Sequence, residues 1–158
     1  LAAITMFAAG AAHAAGSHEG GHGDDDHHGK MAVGEPGKMD DVHQRMTIIM
    51  KETEDGDMIF EPSSVNVTKG ETILFIVKNV GELEHEFVLD DHKGVMEHKA
   101  MMEKFPEMEH DDPNSVRLDP GKTGEVVWKF SNAGSFEFAC LIPGHYDSGM
   151  KGNLAVAE

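Results

Sequence analysis

The chain has 158 residues, 39% of them hydrophobic, enough to bury one ordinary core and little more. Its formal net charge of −16, from 29 Asp and Glu against 13 Lys and Arg, excludes binders of nucleic acid and anionic membrane surfaces, which need the opposite sign. Beyond the first residues no stretch is long and apolar enough to span a bilayer, so a soluble mature protein is expected.

Residues 1–14 form an apolar run ending in small residues, and Ala12-His13-Ala14 fits the A-x-A pattern of a signal-peptidase site. They read as the remnant of a signal peptide, which sends the mature protein to the periplasm. Residues 15–42 are rich in Gly, His and Asp without an apolar period and read as a disordered tail. From residue 43 the pattern changes to short strands. "RMTIIM" and "DMIF" flank a turn at Asp55-Gly56, and two further strands, near 64–68 and 71–79, are separated by Lys69-Gly70. In the second of these, Ile73, Phe75 and Val77 fall on one face and Leu74 and Ile76 on the other. "EHEFVLD" is another strand, residues 114–140 hold three more between Pro-Gly and Ala-Gly turns, and "GNLAVAE" is the last. Residues 92–110 interrupt this pattern with helix formers and are expected to be a helical insertion, with Val95, Met102 and Phe105 on its inner face. The whole predicts an all-β, antiparallel sandwich over residues 43–158.

Cys140 is the only cysteine. In an oxidising compartment it has no intramolecular partner, so it is either buried as a small apolar side chain or held as a ligand. Its surroundings favour the ligand. "CLIPGHYDSGM" places His145 and Met150 after it on one loop between two strands. A thiolate is a soft ligand. Zinc sites and iron-sulfur clusters usually need several cysteines, whereas copper is served by one cysteine, two histidines and a weak axial methionine. The second histidine is best supplied by His85, at the start of a strand just after the Gly81 turn.

The strand ending in cysteine, the Cys-x4-His-x4-Met loop with Pro143-Gly144, the closing strand and the upstream Asn-x-Gly…His strand together resemble the cupredoxins, the type 1 blue copper proteins. More narrowly, the pattern is similar to the exported plastocyanin/azurin-like proteins of bacterial copper tolerance. The resemblance implies a Greek-key β-sandwich holding one type 1 copper, with His85, Cys140 and His145 as equatorial ligands and Met150 as the axial one. It also implies that the carbonyl of Glu84 approaches the metal from the opposite side. His145, beside Ile142, Pro143 and Tyr146, becomes the electron's exit at the surface. Glu86 stands where many plastocyanin-like proteins have an asparagine that braces the cysteine loop.

His18, His22, His27 and His28, interleaved with aspartates, can bind further divalent ions or merely solvate a linker. In the insertion, Met96, Met101, Met102 and Met108 with His98 and His110 can hold Cu(I), or serve in part as apolar core. Two functions therefore stand side by side: one-electron transfer in copper tolerance, and a copper buffer or chaperone that uses the tail and insertion. An enzyme is not expected. No oxyanion-type Gly loop or orienting acid accompanies Cys140 and His145, and the paired His-x-His motifs of cuprous oxidases are missing. Copper ions and a periplasmic redox or copper-exporting protein are the expected partners of a monomer.

Overall fold

The computed structural model describes residues 31–107 and 111–158. In chain order these contain β1 (Glu35–Pro36), β2 (Gln44–Glu52), β3 (Met58–Glu61), β4 (Ser64–Thr68), β5 (Thr72–Asn79), β6 (His85–Asp90), α1 (His92–Lys104), β7 (Ser115–Leu118), β8 (Thr123–Lys129), β9 (Gly134–Ala139) and β10 (Lys151–Ala157). The strands form two five-stranded sheets, ordered β1-β8-β5-β2-β3 and β4-β10-β9-β6-β7. This is the all-β sandwich with a short helical insertion that the strand pattern predicts. The expected signal-peptide remnant, the four histidines His18, His22, His27 and His28, and Met108 and His110 lie outside the described residues.

Two pairings differ from uniform antiparallel order: β2 runs parallel to β5, and β4 parallel to β10. The cause is the Lys69-Gly70 turn, which carries the chain from one sheet to the other instead of closing a hairpin. Crossing over and back returns β5 beside β2 in the same direction. Residues 31–42, read from sequence as tail, are a second correction. β1 pairs with β8, Val33 is fully buried, and the Trp128 indole donates to its carbonyl at 3.3 Å. A two-residue strand anchored by one valine leaves no apolar period for sequence reading to detect.

Strand alternation sorts the side chains into two buried layers. Ile73, Phe75 and Val77 of β5, Phe87 and Leu89 of β6, and Phe138 with Cys140 at the end of β9 face the space between the sheets. The Phe87 ring lies at the centre, 5.6 Å from both Phe75 and Phe138 and 6.1 Å from Phe60. The alternate residues Val88, Ala139 and Leu141 face outward, and α1 covers them with Val95 and Met102. Both faces of β6 are therefore buried, as is the C-terminal end of β9.

The helix starts where Asp91 caps it, accepting from the Gly94 amide at 2.7 Å. It ends at Lys104, two residues before Pro106, with Lys99–Glu103 as an i,i+4 pair of 2.8 Å. Phe105, expected on the inner face, lies just past the helix and is 58% exposed, because the backbone there has left helical geometry.

Asp90 fills the junction between β6 and α1, its carboxylate so close to Gly94 that a methyl group there would collide with it. Burial is the main cause that pushes this carboxyl from its ordinary 3.8 to about 6, with the charges of Asp91 and Glu97 adding to it against one bond from the Asp91 amide. The folded state thus holds the proton more tightly than the unfolded state. The associated stability is complete below the unfolded value and is lost as pH rises through the folded value. Asp90→Asn is expected to melt higher than the parent chain, by a margin that grows from about pH 4 to about pH 7. A margin constant across that window in thermal unfolding would contradict the assignment.

Candidate metal centre

Three pieces of backbone meet at one end of the sandwich: the end of β2, the turn at 80–84 entering β6, and the loop at 140–150 between β9 and β10. Asn79, almost fully buried, shapes the turn. Its amide donates to the carbonyls of Leu83 at 2.7 Å and Leu118 at 2.9 Å, and its oxygen accepts from the Gly81 amide at 3.0 Å. This delivers His85 as the first residue of β6, on the same inward face as Phe87 and Leu89. The histidine is the polar end of an apolar stripe.

The second loop is closed on itself. The Cys140 amide donates to the Met150 carbonyl at 3.1 Å, and the Met150 amide to the His145 carbonyl at 3.1 Å. Gly144 and Gly149, at φ of +90° and +95°, take backbone conformations that other residues rarely adopt. Four residues between Cys140 and His145 thereby form a tight turn, and their side chains converge.

Nδ1 of His145 lies 3.3 Å from Sγ of Cys140 and 3.3 Å from Nδ1 of His85. One ligand atom from each of the three residues lies within 4.8 Å of the others, the geometry of residues that can hold a metal ion. His85 and Cys140 are fully buried and His145 is half-buried, so one donor of the three reaches solvent. Met150 is also fully buried, in the same apolar cluster as Cys140.

The protonation states suit a soft cation. Burial pushes the Cys140 thiol up to about 12, against hydrogen bonds from the Glu86 and Ile142 amides. The buried thiol becomes a thiolate, and so a ligand, when a cation replaces its proton. Burial, then the neighbouring charge of His85, holds His145 below the usual imidazole range, in the neutral form that ligates. The Cys140 sulfur and two imidazole nitrogens brought together in a largely buried place are donors of the kind that suits copper.

The surrounding carboxylates divide their work. Arg117 grips Glu84 through two bonds, of 2.9 and 2.7 Å, and holds its carboxyl below the usual range. Glu86 is buried and its carboxyl is pushed up to about 7, chiefly by desolvation. It braces the cysteine loop without an asparagine: its backbone amide donates to Cys140 Sγ at 3.3 Å, and its carboxyl is bonded to the Leu141 amide. Glu52, which sequence reading missed, accepts from His85 Nε2 at 2.6 Å.

Tyr146, expected beside His145 at the surface, is instead buried under α1 with Leu141 and Met102. The same cluster takes Met102 and part of Met96 as apolar packing, whereas Met101 is 45% exposed. A bond of 3.1 Å between Lys99 and Asp147 also ties the helix to the ligand loop. Among the described residues, no histidine or carboxylate of the insertion joins the His85, Cys140, His145 group.

The sequence profile of the plastocyanin/azurin family of copper binding proteins matches residues 47–157. A copper-resistant cuproprotein CopI of Rubrivivax gelatinosus is 41% identical over 153 residues, covering 96% of this chain and 88% of that protein. The protein of the same name from Pseudomonas aeruginosa is 35% identical, covering 82% and 84%. Among solved structures, an auracyanin of Roseiflexus castenholzii superposes with a TM-score of 0.61 at 20% identity, covering 74% of this chain and 99% of that one, and supports the fold. With a family match across most of its length and a donor set that fits the metal, the chain belongs to the plastocyanin/azurin family of copper binding proteins.

Proposed function

We propose that this chain is an exported, periplasmic cupredoxin that holds one copper through His85, Cys140, His145 and the axial Met150, and serves copper resistance by one-electron exchange. The observation that carries the reading is the convergence of His85, Cys140 and His145 from separate segments into one largely enclosed group. The name of the relatives that cover most of the chain supports the role in copper resistance. Bound copper supplies the interchange of Cu(I) and Cu(II). The protein's own residues supply the rest. Buried ligands fixed by two hydrogen-bonded turns stay nearly in place as charge changes, which keeps reorganisation small. His145, the half-exposed donor, is the contact through which a partner protein gives or takes the electron. In this reading the Glu84 carbonyl, immediately before His85, would be a further contact for the metal, and the protein is an electron carrier and not an enzyme.

A second reading has its own observation. Met101 stands exposed on α1, as does His92, so the insertion offers soft donors to passing Cu(I). In that reading the tail histidines, Met96, His98, Met108 and His110 collect copper as a buffer.

Cycling the copper-loaded protein with ascorbate and ferricyanide separates the two. Electron transfer predicts that about one copper per chain is retained through repeated cycles, in a chain lacking residues 15–41 as in the full one. Loss of copper on each reduction, or a capacity that falls with the deletion, would favour the buffer.

A further inference from the structure

Glu52 ends β2 in one sheet, while its carboxylate reaches the ligand histidine of the other. Oε1 accepts from His85 Nε2 at 2.6 Å and from the Leu83 amide at 3.2 Å, and Oε2 accepts from the Glu82 amide at 2.8 Å. The side chain is only 20% exposed. Gly81 makes the approach possible, since a Cβ on it would overlap both carboxylate oxygens. The contact is therefore built by two elements: a glutamate at the end of a strand, and a turn that presents two amides and no side chain.

The chemistry follows from the direction of the bond. A carboxylate can only accept, so Nε2 of His85 is the donor to Glu52, and Nδ1, which faces His145 in the same group as the Cys140 sulfur, is the nitrogen left for a metal. Three N–H groups converge on the Glu52 carboxylate, the amides of Glu82 and Leu83 and Nε2 of His85, the surroundings that favour an anion. An anion drawing on the Nε2 proton makes the ring a stronger donor than a neutral acceptor would.

We propose that Glu52 is a positioning residue for the copper centre, which fixes the tautomer of His85 and, by strengthening it as a donor, favours Cu(II) over Cu(I) and so lowers the reduction potential. This rests on the ligand set above. Loss of such an outer partner typically costs roughly 10- to 100-fold in metal affinity. The cost falls mainly on the more highly charged ion. Each tenfold change in the ratio of Cu(II) to Cu(I) affinity moves a one-electron potential by about 59 mV.

The experiment compares the copper-loaded parent chain with Glu52→Gln, Glu52→Asp and Gly81→Ala by redox titration and by Cu(II) and Cu(I) competition binding. Glu52→Gln removes the charge but keeps the shape. Gly81→Ala leaves the glutamate in place and displaces its carboxylate, the movable end of a flexible side chain, without changing the backbone. Glu52→Gln is expected to bind Cu(II) about 10-fold or more weakly with a smaller loss for Cu(I), and to raise the potential by about 59 mV or more. Gly81→Ala shifts it the same way, and Glu52→Asp restores part of the difference. A purely structural role would weaken both ions alike and leave the potential unmoved, which overturns the proposal while the copper site stands. Absence of a Cys140-dependent copper spectrum in the parent chain would overturn the ligand set, and this proposal with it.

Discussion

His85→Gln is expected to lower copper affinity by roughly 100-fold or more while the sandwich still folds. Binding free energies of four-ligand structural metal sites run to about 10–16 kcal/mol, so one ligand in four accounts for about 3 kcal/mol, which is roughly 100-fold. Glutamine nearly matches the histidine in volume and can still bond to Glu52, so the apolar stripe of Phe87 and Leu89 beneath it is undisturbed. Competition binding against a chelator, beside thermal unfolding of the metal-free protein, checks both halves. An affinity within about threefold of the parent would remove His85 from the ligand set.

Phe87→Ala is the corresponding test of the scaffold. The ring is fully buried at the centre of the sandwich, stacked on Phe138 and touching Phe75 and Phe60 from the facing sheet. Truncating a buried phenylalanine costs about 3–5 kcal/mol, a large share of the roughly 5–15 kcal/mol that holds a domain folded. Denaturant unfolding of the metal-free variant should show a midpoint far below that of the parent, or no folded baseline. A loss under about 1 kcal/mol would mean that the two sheets do not depend on this contact. Because Phe87 lies two residues after His85 on the same face of β6, the variant should also loosen the metal centre.

The ligand loop and most strands were legible because both depend on short-range rules. Cys140, His145 and Met150 lie on one segment with its own turn glycines, and period-2 alternation separates Ile73, Phe75 and Val77 from their neighbours. His85 was legible from its place after the Asn79 and Gly81 turn. What escaped depends on tertiary contacts. Glu52 sits in "MKETEDG", which reads as a solvated approach to a hairpin, and its role emerges only when β2 is placed beside β5 and the turn that follows. Tyr146 reads as a surface ring until α1 is laid over it, and Val33 as part of a polar tail until Trp128 supplies its partner. Gly81 reads in the sequence only as a turn residue, and its second role, leaving room for the Glu52 carboxylate, appears when β2 is placed beside that turn.

The most direct test of the copper centre is a Cu(II) titration of the protein, followed by visible absorption and EPR beside Cys140→Ser. An intense thiolate-to-copper band is expected to saturate at one equivalent in the parent chain and to be lost in the variant, with any further equivalents absorbing weakly. A band that survives in Cys140→Ser, or no intense band in the parent, would contradict the assignment and leave the buried cysteine as core packing.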